Sequence, residues 1–115
     1  MSNETYHPLI AQLVPAMNTH NSDAVAQCFT DQAIVYDEER EYCGLTAIKT
    51  WIEDAFQKFQ FKVEVIEVTG GGDEMSFSGR VSGTFDGSPI DLLHQITVRH
   101  GKIASLVIAP ATVRE

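Results

Sequence analysis

Glu74-Met75-Ser76-Phe77-Ser78-Gly79-Arg80-Val81-Ser82-Gly83-Thr84-Phe85 alternates in its chemistry. Met75, Phe77, Val81 and Phe85 share one parity, and Ser76, Ser78, Arg80, Ser82 and Thr84 the other. A period of two is that of a strand with one face buried. Gly79 and Gly83 interrupt the apolar parity and permit a bulge or a sharp bend, as a sheet that curls requires.

Strand signals continue on both sides. Toward the C-terminus, Asp86-Gly87-Ser88-Pro89 reads as a turn, 90–99 as a strand, His100-Gly101 as a two-residue hairpin turn and 102–109 as a last strand. Toward the N-terminus, Gly70-Gly71-Gly72-Asp73 closes a hairpin from a strand over 61–69. That run lacks the Gly-Lys-Ser/Thr ending of a phosphate loop, and no helix follows it.

The first half of the chain reads as helical. Ile10, Leu13, Val14 and Met17 make one apolar stripe of a helix over 5–18, with Pro8 in its first turn and a kink or early end expected at Pro15. Asn21 or Ser22 caps a short second helix carrying Val25, Cys28 and Phe29. A short strand over 33–36 enters the charged hairpin Asp37-Glu38-Glu39-Arg40-Glu41, and Tyr42-Cys43-Gly44 returns the chain. Thr46 is the expected cap of a third helix, whose stripe is Ile48, Trp51, Ile52, Ala55, Phe56 and Phe59. Helices first and an antiparallel meander afterwards imply an α+β fold in which three N-terminal helices pack on one face of a strongly curved, mostly antiparallel sheet and enclose a pocket.

The 115 residues suit a single domain spanning 1–115, and 43% hydrophobic content supplies a core without staples. Sixteen acidic against eight basic side chains give a formal net charge of −8, which argues against nucleic acid as a partner. No apolar run reaches the ~18–20 residues of a membrane helix, and the first residues lack the pattern of a signal peptide, so a cytoplasmic protein is expected. Cys28 and Cys43 read as free thiols rather than a disulfide. Neither stands at metal-motif spacing from a histidine or an acid, so no metal is expected.

Four pieces carry a family resemblance: Phe29-Thr30-Asp31-Gln32-Ala33-Ile34-Val35-Tyr36-Asp37, Gly44-Leu45-Thr46-Ala47-Ile48-Lys49-Thr50-Trp51, Gly83-Thr84-Phe85-Asp86-Gly87-Ser88-Pro89 and Gly101-Lys102-Ile103. In this order and spacing the chain resembles the nuclear transport factor 2-like superfamily, in its SnoaL-like and ketosteroid isomerase-like branch. The resemblance implies a cystatin-like cone and, in many relatives, a homodimer formed through the outer side of the sheet. Ser76, Ser78, Arg80, Ser82 and Thr84 would face that side. It places the general base of the isomerase-like members at Asp37, their acidic hydrogen-bond donor at His94, and their oxyanion tyrosine near Leu13, where this chain is apolar. It also brings Tyr42 to the pocket mouth.

Alternation supports an inward His94, because Ile90, Leu92, His94, Ile96 and Val98 share one otherwise apolar face. The expected pocket therefore has Leu92 and Ile96 in its floor, Trp51, Phe56 and Phe59 in its lid, and Leu13 and Tyr42 beside it. The expected ligand is a small, largely apolar organic molecule. The expected chemistry, where there is any, is cofactor-free isomerisation, dehydration or cyclisation, with Asp37 as base and His94 as hydrogen-bond donor or acid. The alternative is a non-catalytic ligand-binding or dimerising module with a closed pocket.

Overall fold

A computed structural model describes residues 7–110. Its elements are α1 (Pro8–Asn18), α2 (Ser22–Ala26), β1 (Phe29–Asp37), β2 (Arg40–Cys43), α3 (Leu45–Phe59), β3 (Lys62–Gly71), β4 (Glu74–Ser82), β5 (Ile90–Arg99) and β6 (Lys102–Pro110). The strands form one curved sheet in the order β2-β1-β6-β5-β4-β3. β1 and β6 pair in parallel, and every other neighbouring pair is antiparallel. The fold is α+β, with three helices and a mostly antiparallel sheet.

α1 opens at His7, whose Nδ1 accepts the Leu9 N–H at 3.1 Å, with Pro8 at the first position. Residues 5 and 6, where the helix was expected to begin, lie outside the described residues. The helix does not end early at Pro15; α1 runs through it to Asn18. Pro15 is exposed, so the carbonyl left without an N–H partner lies on the solvent side, where water can satisfy it. Asn18 then grips the edge of the sheet. Its Oδ1 accepts the Val63 N–H at 2.7 Å and its Nδ2 donates to the Val63 carbonyl at 2.9 Å, as a neighbouring strand would.

Asn21 caps α2 by accepting the Ala24 N–H at 3.0 Å. The cap of α3 is Gly44 at φ +88°, not Thr46, and no side chain caps that helix. Position 44 also donates its N–H to the Ala33 carbonyl at 2.8 Å, which ties the helix start to β1. β1 is longer than 33–36, because the 29–32 segment is held by β6 through the Phe29–Ile103 pair.

The bulge expected at the glycines lies opposite them. Val65 pairs with Gly79 and Glu67 with Ser78, leaving Ile66 as the extra residue of β3. β4 stops at Ser82, and Gly83 is the bend. Thr84 donates its N–H to the Phe59 carbonyl at 2.8 Å, and a Cβ at Gly83 would lie 2.4 Å from that same oxygen. The backbones at the end of α3 and the end of β4 thus touch, which only glycine permits. Past the bend, Phe85 packs edge-on against Phe59 at 5.7 Å between ring centroids.

Leu9, Ile10, Leu13 and Met17 of α1, Ile48, Ile52 and Phe56 of α3, and Phe77, Ile96, Ile103 and Leu106 of the sheet belong to one buried cluster. Among the described residues no helix is long and apolar enough to cross a membrane. Both cysteines are free; Cys28 is buried, and desolvation pushes its thiol up to about 11 despite nearby Lys102.

Gly83→Ala should lower stability by about 2–3 kcal/mol through the backbone clash. Gly72→Ala, at φ +66° with nothing within 4 Å of the new Cβ, should cost only about 1 kcal/mol. Urea unfolding of the two variants checks this ordering, and equal losses would contradict the contact described.

Candidate functional site

A cavity of about 860 Å³ lies at the wide end of the concave face, between α3 and the sheet. α3 contributes Trp51, Ile52, Ala55 and Phe59 to its wall, and the sheet contributes Val63, Val81, Ile90, Leu92, His94 and Ile108. Phe85, carried back by the bend at Gly83, closes one side. Asp37, Glu38 and Glu39 from the β1–β2 hairpin stand at the same cavity.

The hairpin has Asp37 paired with Arg40 across two central residues, Glu38 and Glu39, both in the left-handed region at φ +55° and +66°. Such turns ordinarily take Asn or Gly at these positions. Two glutamates adopt the conformation here, which costs on the order of 1 kcal/mol each, and the turn is tight enough to fix Asp37 at its base. Asp37 accepts a hydrogen bond from the Trp51 indole, Nε1 to Oδ2, at 2.9 Å. Burial raises its pKa above the ordinary carboxylate value; the indole bond opposes that shift and the Glu38 charge adds to it.

His94 is 2% exposed. Its ring lies parallel to Phe77 at 4.3 Å between centroids, and Gly79 beside it leaves room: a Cβ there would sit 3.4 Å from the imidazole Cε1. Nδ1 lies 3.1 Å from the Leu92 carbonyl. A carbonyl only accepts, so Nδ1 carries the proton and the neutral ring keeps a lone pair on Nε2. Desolvation lowers the imidazole pKa to about 4, against the opposing pull of the Leu92 and Phe77 carbonyls. Burial holds His94 neutral at physiological pH, and with Nδ1–H bonded to the Leu92 carbonyl its Nε2 is an acceptor.

Of the residues singled out from the sequence, Asp37, His94, Trp51, Phe59 and Leu92 meet at this one cavity. Leu13, Tyr42, Phe56 and Ile96 do not line it. Leu13 and Ile96 are 0% and 2% exposed inside the core. Phe56 stacks on His20 at 4.5 Å, one layer behind the wall, and His20 is held by the Phe61 carbonyl at 2.9 Å. Tyr42 lies 6.0 Å from the Trp51 ring, on which it packs. Sequence reading passed over Glu38 and Glu39, which looked like an ordinary solvated turn, and Phe61 and Val63, whose placement follows from Asn18 gripping the edge strand. Among the described residues no cluster of three or more His, Cys, Asp or Glu side chains could hold a metal ion.

The two buried groups act on stability with opposite signs. For His94 the folded pKa lies below the unfolded 6.5, so stability is lost as pH falls from about 6.5 to about 4, on the order of 3 kcal/mol. For Asp37 the folded pKa lies above 3.8, so stability is gained as pH falls through that raised value. His94→Phe should flatten the acid loss, and Asp37→Asn should steepen it. Urea titrations at intervals between pH 7 and pH 4 check both.

The sequence profile of the SnoaL-like domain matches residues 10–106. A crystal structure of a candidate polyketide cyclase from Sinorhizobium meliloti superposes with a TM-score of 0.85 at 31% identity, covering 89% of this chain and 94% of that one. A protein of ketosteroid isomerase-like fold from Catenulispora acidiphila, in complex with trimethylamine, superposes at 0.82 with 16% identity over 91% and 86% of the two chains. The epoxide hydrolase/cyclase-like enzyme SalBIII, of pyran ring formation in salinomycin, superposes at 0.79 with 18% identity over 91% and 89%. No curated protein matches the sequence. With a profile match over most of its length and a relative above 30% identity, the chain belongs to the SnoaL-like domain family.

Proposed function

We propose that this SnoaL-like protein binds a small, largely apolar organic molecule in the cavity and moves a proton on it without a cofactor. One observation carries the reading. A half-buried carboxylate, Asp37, and a neutral imidazole, His94, open on the same largely apolar space. A carboxylate whose pKa is raised by desolvation is a stronger base than one in water, and the apolar wall keeps competing water away. Asp37 is the base. His94 accepts a hydrogen bond from the ligand and orients it. Among the described residues the walls supply no charged donor, so charge that develops on the ligand is best spread within the ligand itself. Isomerisation, dehydration or cyclisation of a compound with an activated C–H or O–H fits that condition. The candidate cyclase relative at 31% identity supports this class of chemistry.

A second reading, ligand binding without turnover, is favoured by the near-complete enclosure of His94. The two readings part at Asp37. Benzoylacetone is a suitable probe, because its second carbonyl spreads the enolate charge. Its binding should quench Trp51, the single tryptophan of the chain, and the protein should speed deuterium exchange at the carbon between its carbonyls. Asp37→Asn should remove about 100-fold or more of that catalysed exchange while changing affinity only a few-fold. Binding without catalysed exchange in the native protein would leave the second reading.

We further propose a cytoplasmic homodimer formed through the outer face of the sheet. A shallow groove of about 390 Å³ on that face is lined by Thr69, Ser76, Gln95, Thr97, Ser105 and Val107 among others. Sedimentation equilibrium should give a dimer, and Gln95→Lys combined with Thr97→Lys, both in the groove and outside the cavity, should shift it to monomer.

A further inference from the structure

The charged side chains of the cavity wall are all acidic. Asp37, Glu38 and Glu39 only accept hydrogen bonds while ionised, and among the described residues no Lys or Arg lines the cavity. The donors that do reach it are spent. The Trp51 N–H is bonded to Asp37, and the Tyr36 hydroxyl donates to Glu41. His94, more than nine-tenths buried, also lines the cavity. The two groups that hydrogen-bond its ring, the carbonyls of Leu92 and Phe77, are both acceptors. Its lone pair therefore has no donor among the described residues. Arg40, across the turn from Asp37, is exposed and forms neither of the two ion pairs among the described residues, which join Lys49 to Asp23 and Arg80 to Asp91.

A wall that offers acceptors and negative charge, and among the described residues no free side-chain donor, is complementary to a ligand that brings donors and positive charge. A carboxylate, or a ketone with no enol hydroxyl to donate, meets unpaired acceptors, which is unfavourable in an apolar space. An ammonium group supplies N–H donors to a carboxylate and to the imidazole lone pair, and aromatic walls tolerate a cation through the negative faces of their rings. Resting on the binding reading above, we propose that the ligand is a protonated organic amine with an apolar body. Its N–H group lies between Asp37 and His94, and the Glu38–Glu39 rim draws the cation in. The positive charge also supplies what the protein lacks, because an ammonium next to a reacting carbon stabilises negative charge that develops there.

Trp51 is the single tryptophan and stands in the cavity wall, so its fluorescence reads occupancy of this site directly. Four matched probes serve: 4-phenylbutylamine, its N,N,N-trimethyl derivative, 4-phenylbutanol and 4-phenylbutyrate. The amine should bind at least about tenfold tighter than the alcohol, the trimethyl derivative should be several-fold weaker than the amine, and the carboxylate should be weakest. Glu38→Gln with Glu39→Gln, both exposed, should narrow the amine–alcohol gap. Glu64→Gln with Glu67→Gln, an equal change of charge on the exposed part of β3, should leave the gap unchanged. Equal losses in the two double variants would reduce the effect to net charge and overturn the site. Alcohol or carboxylate binding as tight as amine would overturn the ligand class while the binding reading stands. A trimethyl derivative as tight as the amine would overturn the role of the N–H. Failure of all four probes and of benzoylacetone would remove the binding reading itself.

Discussion

The hydrogen bond from the Trp51 indole to Asp37 is the interaction on which the cavity depends. It joins the middle of α3 to the last residue of β1. Each partner would be costly alone. A buried indole N–H without an acceptor forfeits its hydration, and a desolvated carboxylate without a donor is driven to protonate. Together they fix the height of the helix above the sheet at its wide end. Phe85 closes that end because Gly83 lets the end of β4 reach the end of α3. The hairpin that carries Asp37 is tight for the same purpose, holding the carboxylate where the indole can reach it.

The curved sheet sets a second condition. A concave face wider than one helix either fills with side chains or leaves space. At the narrow end it is filled, with Leu13, Ile96, Ile103 and Leu106 enclosed in the core. At the wide end the side chains do not meet across the gap, and the space that results is apolar apart from the hairpin acids and His94. The SnoaL-like frame supports many chemistries, so the polarity of these few groups, rather than the fold, selects the ligand. In this chain that polarity runs toward acceptors. Leu13, where the resemblance implied a tyrosine donor, is an enclosed apolar residue. His94, where it implied an acidic donor, is a buried imidazole bonded to the Leu92 carbonyl.

Much of the architecture was legible locally. The strand over 90–99 appears with those bounds. His100 and Gly101 take the positive φ values of a tight hairpin, +54° and +76°. The expected inward face of Ile90, Leu92, His94, Ile96 and Val98 appears as alternating burial from His94 to Val98, whereas Leu92 is half-buried and Ile90 exposed. These features depend on period and on turn chemistry, which act between residues close in the chain. The exceptions share a cause. Pro15 is tolerated because its side of α1 is wet, Thr46 yields the cap of α3 to Gly44, and β1 is lengthened by a strand more than sixty residues away.

For the site, the sequence by itself determined direction: which faces of β5 and α3 turn inward, and that His94 is the single polar group on its face. Tertiary structure alone decided what stands opposite each inward residue. Leu13, Phe56 and Ile96 turn inward and are met by other side chains, so they pack. Phe59, Leu92 and His94 turn inward and are met by space, so they line a cavity. The proton on Nδ1 of His94 and the rim made of Glu38 and Glu39 are of the same kind. Periodicity is a property of one segment, whereas the volume in front of a side chain and the partner of its last lone pair are set by segments distant in the chain.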